Sequence, residues 1–418
     1  MSTLAPLIKK LTNGAADGTG IVKLVGLTQN MLKLKDPHDI PSVLIKMVEG
    51  EQQAQFGSYP DHKDIAPSAV FLAIFAVLFL AHTTVFAINY RRGHKFFLSL
   101  GFAFYCTLRW LGFALRLTWA KDLLKLHIGI TGTVLTILAT VFIASFNLVL
   151  AQRIFTWRHP VFGNSKLFWT LMYTLYSIVV AVVAMTIVAG TVPYLYFLSR
   201  SHYDMCRNVV KVTSILITLY SLLAIILVVA AYAIPAHQKD KDALVFQPFW
   251  IKSFKPTYFV QKGADKECED QFAAKFANDP REPKRTMLGG SLGKSAELEE
   301  FLGSGDAKFS ANHNVSILII ATTTILVFVG ALMRCIAMFE DKTYATQNNI
   351  HKPVVMYVVW GAFETIANIL YLVGRVDLRF YRPDSFKRGA IAPVDTVSNE
   401  VVEDKDEKSR SMNSSEDV

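Results

Sequence analysis

Apolar residues in this chain come in long blocks that neither alternate like a strand nor recur at surface-helix spacing. Seven blocks stand out: Ser68–Tyr90, Phe96–Ala120, Leu126–Gln152, Leu167–Ser199, Val212–Gln238, Val315–Met333 and Pro353–Gly374. The second contains Arg109 and Arg116 and the seventh contains Glu364; the others carry no charge. A hydrocarbon layer of about 30 Å takes about 20 residues of helix, so each block can cross once. The short alternating runs of a membrane β-barrel are absent. The pattern predicts an all-α membrane protein, a bundle of seven transmembrane helices.

The polar stretches divide the rest. Residues 1–67 read as a polar N-terminal tail with a short helix around Ser42–Met47, and nothing there has the apolar run of a signal peptide. Helices one to five occupy 68–238, a long loop 239–314, and helices six and seven 315–374. Residues 375–418, acidic and Ser-rich after Asp395, read as a disordered tail.

Basic residues cluster after the first span (Arg91, Arg92, Lys95), after the third (Arg153, Arg158, Lys166) and after the seventh (Arg375, Arg379, Arg382). That bias places the N-terminus outside, with the long loop and the C-terminus in the cytosol. The sequons at Asn314 and Asn413 then fall in the cytosol, where neither is glycosylated. The expected location is the plasma membrane rather than an internal membrane.

Composition narrows the class further. Hydrophobic residues make up 52% and charged residues 18%, against about 25% charged in a soluble domain. A disordered chain, a disulfide-built module and a coiled coil are excluded. The net charge is +9, but its basic residues flank the spans, so anionic lipid is the expected partner and nucleic acid is not. A cytosolic partner would dock on the loop between helices five and six or on the C-terminal tail. Four cysteines without CxxC spacing argue against a thiolate metal site. Spacing leaves a Cys206–Cys335 disulfide and two free thiols both open. No P-loop, Gly-rich nucleotide motif or G-x-S-x-G occurs, so neither an enzyme nor a cofactor is expected.

Polar groups inside the spans are the candidate chemistry. Glu364, Asn368, Tyr371 and Arg375 fall on one face of helix seven, and Cys106, Arg109, Phe113 and Arg116 on one face of helix two. Gly129, Thr133, Thr136, Thr140, Ala144 and Asn147 form a small-and-polar stripe on helix three, of the kind that packs helices closely. Depths along the helices allow a buried Arg109–Glu364 pair. A static clamp, two separately snorkelling residues, or a ligand site are its three readings. Arg116 and Arg334 lie near the outer ends, where snorkelling accounts for both. The ligand or helix-clamp candidates are Arg109, Glu364, Asn368, Tyr371 and Asn147. After helix five, the aromatic and basic stretch Phe246–Val260 suits a headgroup-lying segment or a loop packed under the bundle.

Several motifs in order carry a resemblance. They are Pro67–Leu72, Tyr90–Phe96, Asn147 through Arg153 with His159-Pro160 and Phe162-Gly163, Gln247–Phe254, His313–Ser316 and Gly374–Phe380. Across roughly Asp64–Pro383 the chain resembles a fungal family of uncharacterised seven-pass membrane proteins, loosely labelled family-C-like G-protein-coupled receptors or a domain of unknown function. The resemblance implies membrane location and seven helices. The resulting expectation is receptor-like topology with an unknown ligand; a small-molecule or lipid transporter and a membrane scaffold are the alternatives.

Overall fold

A span in hydrocarbon must satisfy its backbone internally, and in a chain of apolar blocks the helix is the local solution. The structure is a computed structural model that describes residue 12 and residues 14–235, 237, 245–246, 251, 253–264, 288–289 and 313–381. Most of the 239–314 loop and the 382–418 tail, read from sequence as connector and disordered tail, lie outside the described residues.

Two short helices, α1 (Ile21–Leu32) and α2 (Ser42–Glu51), precede the spans. The spanning helices are α3 (Ile65–Arg91), α4 (Leu98–Lys121), α5 (Leu126–Arg158), α6 (Lys166–Leu195), α7 (Arg200–Ala233), α8 (His313–Glu340) and α9 (Pro353–Val373). All seven are long and apolar enough to cross a membrane. Large apolar side chains stand exposed along them, among them Val77 and Leu80 on α3, Val180 and Val188 on α6, and Ile226 and Val229 on α7. Faces of that kind suit lipid and not water. The chain is a multi-pass integral membrane protein. Its only paired strands among the described residues are two residues each, Val245–Phe246 against Leu288–Gly289.

Local signals set the helix ends. Ser165 accepts a hydrogen bond from Phe168 N as the N-cap of α6, and Ser199 does the same from His202 N for α7. Pro353 occupies the first turn of α9, where its missing N–H costs nothing. Helix α5 sits centrally, in contact with α4, α6, α7 and α8.

Two differences from the sequence reading concern the edges. Helix α7 starts at Arg200, well before the predicted Val212. Its first turns carry charge because those charges are paired: Arg200 with Asp204 at 3.2 Å, and Arg207 and Lys211 with Asp341. Residues 14–61, read as a polar tail, instead pack onto the bundle as a cap. Ala16 N donates to Leu198 O and Gly20 N to Pro193 O, each at 2.8 Å. Ala54 N donates to Lys342 O and Tyr344 N to Gln52 O, also at 2.8 Å. Ile21, Ile40, Ala54 and Phe56 are buried there. The cap covers the end of the bundle where the α4–α5, α6–α7 and α8–α9 loops lie; this end is called the N-terminal face below.

Candidate functional site

Helices α4 and α5 approach closely because glycines face the contact. A Cβ on Gly112 would lie 2.9 Å from Thr136 Oγ1, and one on Gly132 would lie 3.2 Å from Leu115 Cβ. This approach brings Arg109, one turn from Gly112, within reach of the α5 backbone. Arg109 Nη1 donates to Thr136 O at 3.0 Å, and Nη2 donates to Thr140 Oγ1 at 2.8 Å. The guanidinium also holds Glu364 in a two-point contact, Nε to Oε2 at 2.5 Å and Nη2 to Oε1. Tyr105 OH donates to the same Oε2. Arg109 and Glu364 are each 1% exposed. A two-pronged guanidinium–carboxylate contact is the strong form of an ion pair, and burial makes each charge depend on the other.

Helix α9 is not uniform where it presents these groups. Tyr357–Phe363 is wound as π-helix, and α-helix resumes at Glu364. Such a wider turn shifts the phase of the following side chains and is common at functional positions. Trp360 lies in it, with Arg109 Cζ 5.4 Å from its ring centroid.

Two of the remaining candidates, Asn147 of α5 and Tyr371 of α9, meet about two turns further on. Asn147 Oδ1 accepts from Tyr371 OH at 2.7 Å and from Thr323 Oγ1 at 3.0 Å. Asn368 Nδ2 donates to Glu364 O at 2.7 Å, and Cys106 Sγ lies 3.5 Å from Asn368 Oδ1. Arg109, Glu364 and Asn368 thus share one buried cluster, and Tyr371 and Asn147 share the next. Thr323 was not legible as a member, since one threonine in an apolar helix gives no sequence signal. Cys106, Cys206 and Cys335 are free thiols. Among the described residues no three His, Cys, Asp or Glu side chains gather as they would to hold a metal ion.

Arg116 and Arg334 do not snorkel. Arg116 Nη2 donates to Gly57 O at 2.6 Å and to Asp64 Oδ2 at 3.2 Å, and its Nε donates to Tyr357 OH at 3.2 Å. The cap bends over the helix ends and offers it these acceptors. Arg334 is 7% exposed. It lines an open-mouthed cavity of about 70 Å³ under the cap. Gln55, Phe56 and Tyr59 of the cap also line it, as do Thr133 of α5, Gly190 of α6 and Trp360. Trp360 is therefore shared: one part of it lines the cavity and its ring lies over Arg109.

At the opposite end, Arg375 has a left-handed backbone (φ 48°) just past α9. Its Nε and Nη2 donate to both carboxylate oxygens of Asp377 at 2.9 and 2.7 Å. Asn89 Nδ2 donates to Asp377 Oδ2 at 2.7 Å. Arg375 Nη1 donates to the carbonyls of Pro256 (3.1 Å) and Tyr258. Phe254 lies under Arg379 Cζ at 4.3 Å, and Ile251 and Val260 are buried. Of the two readings of Phe246–Val260, its described residues fit the loop packed under the bundle.

No curated protein and no solved structure matches the chain. One family model does, described as a protein of unknown function, DUF3112. The match covers residues 160–381, more than half of the chain, from the turn after α5 through the Arg375–Asp377 clamp. On that match the chain belongs to the DUF3112 family of proteins of unknown function.

Proposed function

We propose that the protein is a receptor-like membrane sensor that binds a ligand under the N-terminal cap and does not transform it. The observation that carries this reading is Trp360. It lines the capped cavity and also lies over Arg109 of the buried ion pair. A ligand that moved this ring would alter the surroundings of Arg109 and Glu364, and with them the contacts among α4, α5 and α9. A change there would reach the C-terminal face through α9, which runs directly into the Arg375–Asp377 clamp. The polar faces of α4, α5 and α9 meet by direct contact, Arg109 to Glu364 and Asn147 to Tyr371. That favours a cavity served from one side over a carrier's alternating route. The basic residues on the C-terminal face support an outside N-terminus, a plasma-membrane location and a cytosolic partner near the α7–α8 loop or the tail.

Sidedness of the cavity tests the proposal. Thr133→Cys, in sealed vesicles of known orientation, should react with a small membrane-impermeant thiol reagent from the N-terminal face alone, above the labelling of the parent chain. Reaction from both faces would replace the sensor by a carrier. Labelling from the N-terminal face inside the cell would reverse the orientation.

A further inference from the structure

An arginine kept inside a membrane bundle nearly always has a partner, because an uncompensated charge there is costly. Arg109 has Glu364, Arg116 has Asp64, and Arg375 has Asp377. Arg334 differs. It is 7% exposed and makes no hydrogen bond or ion pair among the described residues. It lines the capped cavity, and no Asp or Glu lines that cavity with it.

The threonine hydroxyls on the wall are already occupied. The hydroxyls of Thr133, Thr186 and Thr191 donate to the carbonyls of Gly129, Val182 and Ile187 in their own helices. Trp360 Nε1 is buried without an acceptor. It lies 3.7 Å from where a Cβ on Gly330 would stand, one helical turn from Arg334 on the same face of α8. The cavity thus has one unpaired cation, a second unmet donor nearby, and walls that are mainly apolar, including Ile130, Ile137 and Met338.

We propose that this cavity binds the anionic head of a single-headed amphiphile, the head paired with Arg334 and the adjoining methylenes against α5 and α6. A carboxylate or a phosphate head would satisfy the guanidinium equally in kind, and those methylenes would replace lipid-like contacts with wall contacts. The inference rests on the capped cavity being the ligand site, as read above. Its binding test and the sidedness test fail independently.

The test uses the full chain in a neutral detergent, with oleate, oleoyl-lysophosphatidate and the uncharged methyl oleate as probes. Thermal midpoint is followed against probe concentration, and native mass spectrometry gives the stoichiometry. The expected result is a saturable rise in midpoint with one bound molecule per chain for an anionic probe and none for methyl oleate. Oleate alone would identify a carboxylate head, lysophosphatidate alone a phosphate head, and both the shared chemistry. Arg334→Gln should weaken binding about tenfold or more. Gly190→Leu supplies a second variant, since a Cβ there meets nothing within 4 Å. It should fold normally and block the cavity. Equal response to methyl oleate, wild-type affinity in Gly190→Leu or in a folded Arg334→Gln, or no saturable binding would each overturn the proposal.

Discussion

Arg116, inside the second span, donates to the backbone carbonyl of Gly57 at 2.6 Å, so a transmembrane side chain holds the cap in place. Its second hold is Asp64, at the start of the first span, at 3.2 Å. Arg116→Gln removes the charge from both contacts and keeps most of the side-chain volume. It should cost about 1–3 kcal/mol of cap docking. Limited proteolysis should then cut within residues 14–60 at lower protease dose, while the spanning helices stay protected. Unchanged cutting would show that the cap is held by its other contacts alone.

The close α4–α5 approach gives a second prediction. Gly112→Ala places a methyl group 2.9 Å from Thr136 Oγ1, a hydroxyl already bonded to Gly132 O at 2.7 Å. Either the hydroxyl gives up that bond or the helices part, at about 1–3 kcal/mol. The same change at Gly26 in α1 meets nothing within 4 Å. It should be neutral or stabilising by up to about 1 kcal/mol, from helix propensity alone. Thermal midpoints of the two solubilised variants should move in opposite directions or by clearly different amounts.

These contacts show what the sequence could and could not reveal. Seven spans were legible because charge-free length is a local property, and Arg109 and Glu364 stood out as charges within it. Their faces followed from helical spacing. The cap was not legible: its buried residues Ile21, Ile40, Ala54 and Phe56 are scattered, and their partners lie far along the chain, as in the Gln53–Thr343 bridge. Arg334 stands near the capped end of its helix, but its local sequence reads as snorkelling, since nothing local announces that a distant segment closes over it. The early start of α7 was hidden by Arg207 and Lys211, whose shared partner Asp341 is remote in sequence.

A pH response is expected at the edge of the cap. His38 bonds Asp36 at 2.7 Å and, across to the α4–α5 loop, Asp122 at 3.2 Å. Hydrogen bonds to Asp36 and then to Asp122 raise its pKa above the ordinary value of 6.5. A raised histidine contributes its stabilisation in full below about 6.5, and loses it as pH rises through the folded-state value. Amide exchange over residues 36–40 should therefore quicken as pH climbs from about 6 to about 8, after correction for intrinsic rates. His38→Gln should exchange faster at the lower pH and lose the pH dependence. The same dependence in His38→Gln would assign it to another group.

The ion pair between α4 and α9 allows the sharpest test of the core. Glu364 receives Arg109 at two points and Tyr105 at one, and both charges are 1% exposed. Removing one partner leaves the other charge buried and uncompensated, at about 3–5 kcal/mol. Glu364→Gln and Arg109→Gln should therefore each lower the thermal midpoint or surface expression strongly. The double variant leaves no stranded charge, so it should recover much of the loss, with a coupling energy well above 0.5 kcal/mol in size. Tyr105→Phe removes a hydroxyl from the same carboxylate without stranding a charge, and should cost less than either single change. Simple addition of the two Gln variants would mean that the residues do not hold each other. If stability returns in the double variant while the protein loses its response to a ligand, the pair transmits a signal as well as clamping the helices.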